Sequence, residues 1–328
     1  MSTVLLTGGA GLIGSHTTRE LLDRGHEVVI YDSFEMYTIP PGRTYFENLE
    51  YRFAHLLSGA AIVRGSTQDK DRLRRELTGA RPDSIVHLAA LPLAGLAKRS
   101  PEEALGSILQ GTANVLDVVR DIPTLQKLVY VSSSMAYGNF VTTPIPEDAP
   151  KDPIDPYGAL KLAGELLVRA YARQYGVPYA IVRPSAVYGP SDNNQRVVQI
   201  AVERAVQGQT ITMEDPDTTF LDFTYVVDVA RGLALATLAP DVVADEFNIT
   251  YGCGRSLADL TVILREHFPD LRVDVRCKSD DYRPVRGTLD IGKAKSVLGF
   301  EPQVCLEEGV SRYLDYVRSC NRSISQRQ

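Results

Sequence analysis

Val4-Leu5-Leu6-Thr7-Gly8-Gly9-Ala10-Gly11-Leu12-Ile13-Gly14 opens the chain and decides how it folds. Val4-Leu5-Leu6 is a short, unbroken apolar run of the kind that a strand buried on both faces requires. It passes into Gly8, Gly11 and Gly14, spaced G-x-x-G-x-x-G, and then into a helical stretch ending near Arg24. Gly8 permits the tight turn, Gly11 lets backbone approach a pyrophosphate, and Gly14 lets the helix pack close to the strand. The free N–H groups at the start of that helix, around Leu12 and Ile13, then face the phosphates. A second apolar run, Val28-Val29-Ile30-Tyr31, ends in Asp32. An acidic residue about 20 positions past such a loop accepts ribose hydroxyls and repels a 2′-phosphate, which favours NAD over NADP.

Working outward, short apolar runs alternate with helical stretches, the pattern of a parallel sheet covered on both faces. Strands are expected over residues 4–7, 27–31, 61–64, 84–88, 127–132 and 179–183, and helices over 12–24, 69–77, 101–120 and 156–175. The stretch 34–59, with Pro40-Pro41-Gly42, reads as an irregular excursion near the adenosine or the substrate mouth. Beyond Tyr188 the alternation weakens. Helices are expected over 195–207, 228–238, 257–267 and 306–318, and strands over 210–213, 246–249 and 272–275. The tail from Asn321 to Gln328 reads as disordered. The expected fold class is α/β, a Rossmann-type doubly wound parallel sheet over residues 1–187. A smaller α/β lobe over 188–328, interleaved with the first, would bind substrate at the carboxyl ends of the strands.

The pair Tyr157 and Lys161 carries the chemistry. Four residues apart on a helix, they project from one face, one turn apart. An ammonium beside a phenol favours the phenolate, as a base at neutral pH requires. The spacing alone is weak, since many solvated helices carry Tyr and Lys at i, i+4. Ser133 follows the strand expected over 127–132 and offers a hydroxyl that can share a proton with Tyr157. In isolation Ser132-Ser133-Ser134 is an ordinary polar strand end. Asn114, at the end of a helical Gly-Thr-Ala-Asn run, reads as a helix-surface residue.

Together these residues resemble the extended short-chain dehydrogenase/reductase family, in its nucleotide-sugar epimerase/dehydratase branch. The resemblance runs over nearly the whole chain. It rests on Thr7 to Gly14, His87-Leu88-Ala89-Ala90, Val131-Ser132-Ser133-Ser134 before Tyr137-Gly138, and Tyr157 with Lys161. It continues through Arg183-Pro184-Ser185-Ala186-Val187-Tyr188-Gly189-Pro190, Asp222-Phe223-Thr224-Tyr225-Val226 with Asp228, and Arg283-Pro284. The resemblance implies an NAD that stays bound while a sugar is oxidised and reduced again. It implies Ser133, Tyr157 and Lys161 as catalytic residues, with Lys161 also bonding the nicotinamide ribose. Leu88, Ala89 and Ala90 join the glycine loop and Asp32 as cofactor contacts. Helices 101–120 and 156–175 correspond to those that pair in family dimers, so a C2 homodimer is expected.

Dehydratases of this family carry Asp-Glu after the catalytic Ser/Thr, and the related decarboxylases carry the Glu; here the two positions are Ser134 and Met135. A thioether transfers no proton at neutral pH. A 4-epimerase, which needs no further acid or base, is therefore favoured by elimination. A dehydratase or net redox enzyme, or an NAD-binding regulatory protein without chemistry, are the alternatives. On the substrate side, Arg283 matches the family's diphosphate arginine, but the second one, just before Asp-Phe, is Leu221 here. Arg196 is either a replacement ligand for phosphate or sugar carboxylate, or a surface arginine. Ser133-Ser134 with a spare arginine could hold a carboxylate. The sugar-contacting Asn of galactose epimerases maps to Ala186, and an adenine-holding Asp of many relatives to Ser66.

Composition sets the outer bounds. A chain of 328 residues with 44% hydrophobic content can bury a sizeable core, and a net charge of −6 points away from general nucleic-acid or membrane binding. No apolar run approaches the ~18 residues of a membrane span. The N-terminus runs straight into a strand, so a cytoplasmic protein is expected. Four scattered cysteines and five isolated histidines suggest neither zinc nor a disulfide framework.

Overall fold

The computed structural model describes residues 1–37, 42–277 and 283–327. Pro40 and Pro41 of the excursion lie outside the described residues. Six strands, β1 (Thr3–Thr7), β2 (Glu27–Asp32), β3 (Ala61–Arg64), β4 (Ser84–His87), β5 (Lys127–Val131) and β6 (Tyr179–Arg183), share one sheet with a seventh, Ala244–Asn248. The spatial order is seventh strand, β6, β5, β4, β1, β2, β3, and every pairing is parallel. This is the Rossmann-type sheet that the alternation predicted. Its strand order reverses between β1 and β4, where a crevice opens at the carboxyl ends.

Successive residues of a strand face opposite sides of the sheet, and the core divides accordingly. Leu6 packs with Val86, Val129 and Val182 under helix α1 (Leu12–Asp23) and the helix Val226–Leu238. Leu5 packs with Ile85, Leu128 and Ile181 under Leu73 and Leu77 of the helix Lys70–Ala80, Val115 and Leu116 of Gly111–Val119, and Val168 of Pro156–Tyr175. The seventh strand and the helix before it come from beyond residue 188, so the second half of the chain completes the sheet begun by the first. A separate core joins the helices Val197–Val206, Leu257–His267 and Leu306–Arg327 to the parallel strand pair Ile211–Glu214 and Val273–Arg276.

Three expectations need correction. The excursion 34–59 is not irregular throughout: it holds a helix, Tyr45–Tyr51, that continues as a π-helical turn, Arg52–Leu56. The stretch lacks a clear apolar stripe because it buries polar Thr44, Asn48 and Arg52 ahead of Leu56 and Leu57. The tail is helical from Asn321 to Arg327, and Gln328 lies outside the described residues. The last helix runs to Arg327, anchored by buried Tyr313, Leu314, Val317 and Cys320, and Tyr316 Oη donates to Asn48 Oδ1 at 2.7 Å. Asn114 is not on the surface: it is buried, and its Nδ2 donates to the carbonyls of Thr67 and Gln68 at 2.9 and 3.3 Å. A buried amide is affordable where backbone acceptors await it, and those come from a segment distant in sequence.

Candidate active site

The glycine loop shows why each glycine is there. Gly8 has φ +71°, and a Cβ on it would lie 2.7 Å from Ala89 N. A Cβ on Gly14 would stand 2.4 Å from Gly8 O, so α1 could not pack this close to the loop with any side chain there. At Gly11 the only neighbour a Cβ would meet within 4 Å is Gly8 O, at 3.3 Å, leaving the backbone open to the crevice. Gly11 caps α1 without a side-chain hydrogen bond, so the dipole and first N–H groups of the helix are presented to a ligand. Asp32, at the end of β2, accepts from Ala10 N at 2.9 Å and from Phe34 N at 2.8 Å. Burial raises its pKa while those two bonds lower it. Each oxygen keeps lone-pair capacity for a hydroxyl donor. A backbone-lined cradle, a free helix N-terminus and a fixed carboxylate fit a dinucleotide.

These residues open into one cavity of about 970 Å³. Gly8, Gly11, Leu12, Ile13, Gly14 and Asp32 line its one end, Leu88, Ala89 and Ala90 its floor beyond β4. Ser133, Ser134, Tyr157, Lys161, Arg196 and Arg283 line it as well. Every candidate read from the sequence thus faces a single space.

Tyr157 stands at the start of the helix Pro156–Tyr175, whose N-terminus is set by Pro156 and by Asp155 Oδ1 accepting from Gly158 N at 3.1 Å. Gly176 closes it in the left-handed conformation. Ser133 ends the segment after β5 and caps the short turn Ser134–Tyr137, its Oγ accepting from Met135 N at 3.2 Å. Its hydroxyl also acts on the Tyr157 phenol, favouring the charged form. Burial pushes that phenol's pKa up; Arg196 and Ser133 pull it back, and Asp155 adds to the rise. Here the sequence reading is corrected. Lys161 was expected to lower the phenol's pKa, yet the cation that does so is Arg196, and the net shift is upward. Lys161 Nζ is turned to the Val131 carbonyl at 2.8 Å and lies 6.0 Å from the Tyr157 ring centre. Burial lowers the lysine's own pKa to about 8, with Glu165 opposing.

Below this row lies a polar layer that sequence reasoning missed. Glu165, one turn past Lys161, is fully buried and accepts from Ser132 Oγ at 2.6 Å and from Arg183 Nε at 2.8 Å. Arg183, also fully buried, donates further to Tyr137 Oη at 3.0 Å and pairs with Glu246 on the seventh strand. The i, i+4, i+8 row Tyr157, Lys161, Glu165 was the available signal.

The cations of the cavity differ in their ties. Arg196 precedes the helix Val197–Val206 and pairs with buried Asp192 at 3.2 Å, so of its two readings the structure favours the cavity over the surface. Arg283 is 60% exposed in its side chain and pairs with Glu214 at 2.8 Å. Arg52 is buried, donating to Ala10 O at 2.9 Å and to the Ser191 carbonyl. Arg286, unremarked in the sequence, also lines the cavity. Of carboxylates, only Asp32 and Glu35 do so among the described residues. Among the same residues no group of three or more His, Cys, Asp or Glu could hold a metal ion, and no helix is long and apolar enough to cross a membrane.

A parallel sheet with a glycine-loop cavity at its switch point, lined by Ser, Tyr and Lys, defines a Rossmann-type dinucleotide-dependent enzyme. The chain belongs to the NAD dependent epimerase/dehydratase family, whose model matches residues 4–250, and its cofactor is NAD. It is similar to the UDP-glucose 4-epimerase of Mycolicibacterium smegmatis, 30% identical over 329 residues, covering 96% of this chain and 98% of that one. Among solved structures it resembles UDP-glucose 4-epimerase of Thermotoga maritima with UDP-glucose, at 30% identity and TM-score 0.84 over 97% of this chain and 99% of that one. It also resembles UDP-glucuronic acid 4-epimerase of Bacillus cereus with UDP-glucuronic acid and NAD, at 26% identity and TM-score 0.87 over the same shares.

Proposed function

We propose that the chain is a nucleotide-sugar 4-epimerase working through a transient 4-keto sugar. One observation carries this reading over elimination of water: the only carboxylates lining the cavity among the described residues are Asp32, the last residue of β2, and Glu35, three residues past it. Neither is among the groups that shift the Tyr157 phenol, whose one carboxylate neighbour, Asp155, is occupied in capping its helix. An elimination across C5 and C6 needs an acid and a base beside the sugar. Met135, which lines the cavity in their place, can be neither.

NAD, when bound, would supply the hydride acceptor for C4 and the hydride donor for the 4-keto sugar. Tyr157 takes the proton of the sugar O4 hydroxyl, and Ser133, which favours the ionised phenol, shares that proton. Arg196 lowers the phenol's pKa electrostatically. Lys161, a cation below its pKa of about 8, would bond the nicotinamide ribose. Ser134 and Arg196 are assigned to the sugar, and a carboxylated sugar would suit that pair. Leu105 and Leu166, 51% and 56% exposed on the two helices of the expected interface, support a homodimer.

Incubating the purified protein with UDP-, GDP-, ADP-, CDP- and dTDP-sugars, followed by mass spectrometry and proton NMR, tests the reading. The expected product has unchanged mass and an inverted H4 coupling pattern. Loss of water or of carbon dioxide refutes it.

A further inference from the structure

We propose that Arg286, rather than Arg283, is the guanidinium that binds the diphosphate of the substrate, in place of the arginine absent at Leu221. The inference rests on the nucleotide-sugar reading above.

The backbone around Arg286 is held on both sides. Val285 N donates to Asn139 Oδ1 at 2.8 Å, and its carbonyl accepts from Phe140 N at 2.8 Å. Two residues after Arg286, the Thr288 carbonyl accepts from Ile145 N at 3.0 Å, and its Oγ1 accepts from Gly254 N at 2.8 Å. A segment pinned this way fixes where the side chain between the pins starts. That side chain lines the cavity, and among the described residues it makes no hydrogen bond and no ion pair within 4 Å. Arg283 presents the opposite case, exposed at the rim and paired with Glu214.

The electrostatics agree with the geometry. Burial lowers the Arg286 pKa to about 10, Asp155 supports its charge and Arg283 opposes it. The group remains a cation at neutral pH. A guanidinium that lines the cavity with no hydrogen bond or ion pair among the described residues leaves its donors open to a multiply charged anion in the same space. Leu221 lines the cavity but offers only apolar surface. Arg196 is held by Asp192 and acts on the Tyr157 phenol, so it belongs to the reacting end of the sugar. Arg286 is left as the fork for phosphate oxygens, a geometry that a guanidinium matches bidentately.

Isothermal titration of the NAD-loaded protein with UDP, dTDP, GDP, ADP and CDP comes first. The strongest binder is then compared with its monophosphate in Arg286→Gln, Arg286→Lys and Arg283→Gln. Arg286→Gln is expected to weaken the diphosphate about 10- to 100-fold and the monophosphate much less. Arg283→Gln should change either by less than about threefold. Arg286→Lys, which keeps charge but not the fork, should fall between wild type and Gln with an unchanged melting temperature. Should the Gln variant fail to fold, diphosphate affinity undiminished in Arg286→Lys overturns the proposal. So does Arg286→Gln binding within twofold of wild type, or an equal or larger loss in Arg283→Gln. If no nucleoside diphosphate binds the wild type, the nucleotide-sugar reading itself fails, and this inference with it.

Discussion

Replacing Lys161 by Met should stabilise the fold at neutral pH while damaging activity. Lys161 is 4% exposed, and burial brings its pKa from 10.5 to about 8. A drop of that size corresponds to ~3 kcal/mol held against the folded state when the side chain is charged. The sign follows from proton counts. Between pH 8 and 10.5 the unfolded chain binds more protons at this residue than the folded one, so wild-type stability rises with pH across that window. Below pH 8 the full cost is present. Met removes it, but also removes the Nζ donation to the Val131 carbonyl at 2.8 Å, worth ~1 kcal/mol. The variant should therefore be ~2 kcal/mol more stable than wild type at pH 7, and lose that advantage by pH 10.5. Guanidinium denaturation of NAD-free protein at pH 7, 9 and 10.5 measures the gap. A gap that stays constant within about 0.5 kcal/mol over that range would refute the reasoning.

Tyr157→Phe should lower turnover by about 10² to 10⁴, the range of a lost general acid/base, with NAD binding retained; full turnover in single-turnover assays would sink the proton-transfer role. Gly14→Ala brings a Cβ to 2.4 Å from Gly8 O and 2.7 Å from Gly9 Cα, backbone atoms that no rotamer change can move. The loop must open by about 1 Å, and NAD affinity measured by fluorescence titration should fall at least ~10-fold; unchanged affinity contradicts the close-packing argument. Glu165→Gln can keep one oxygen as acceptor for Ser132 Oγ and Arg183 Nε, but it sets an amide NH2 against the donating Nη2 groups of Arg183 and Arg169 and removes a charge about 6 Å from Lys161, one helical turn away. At an effective dielectric constant of ~20 that is worth ~2–3 kcal/mol, so the lysine's pKa should move from about 8 toward ~6. The alkaline limb of kcat should shift in the acid direction with it, and an unmoved limb speaks against the coupling.

Where local signals are strong, the chain announces its structure. The helix Pro156–Tyr175 is legible to the residue because a proline, an Asp cap and a terminal glycine bracket it. The glycine loop is legible because each glycine answers a contact within a few residues or on the adjoining strand. Legibility fails where polar groups are buried. The helix Tyr45–Tyr51 and its π-helical extension turn Asn48 and Arg52 inward, toward Asp192, Ser191 and Ala10, so no apolar stripe advertises them. Asn114 misleads for the same reason, its acceptors lying nearly 50 residues away.

The sequence by itself determined the parallel sheet, the dinucleotide loop, the one-turn spacing of Tyr157 and Lys161, and a thioether at Met135. Each of these depends on spacing along one element or on a residue's intrinsic chemistry. Only the tertiary structure decided the direction of the Tyr157 pKa shift, the stacking of Glu165 and Arg183 beneath it, and which cavity arginine has no partner among the described residues. Those depend on desolvation and on charges brought together from distant segments. Arg196 and Arg183 reach the site from different strands and loops, and no spacing in the chain encodes the distance between them.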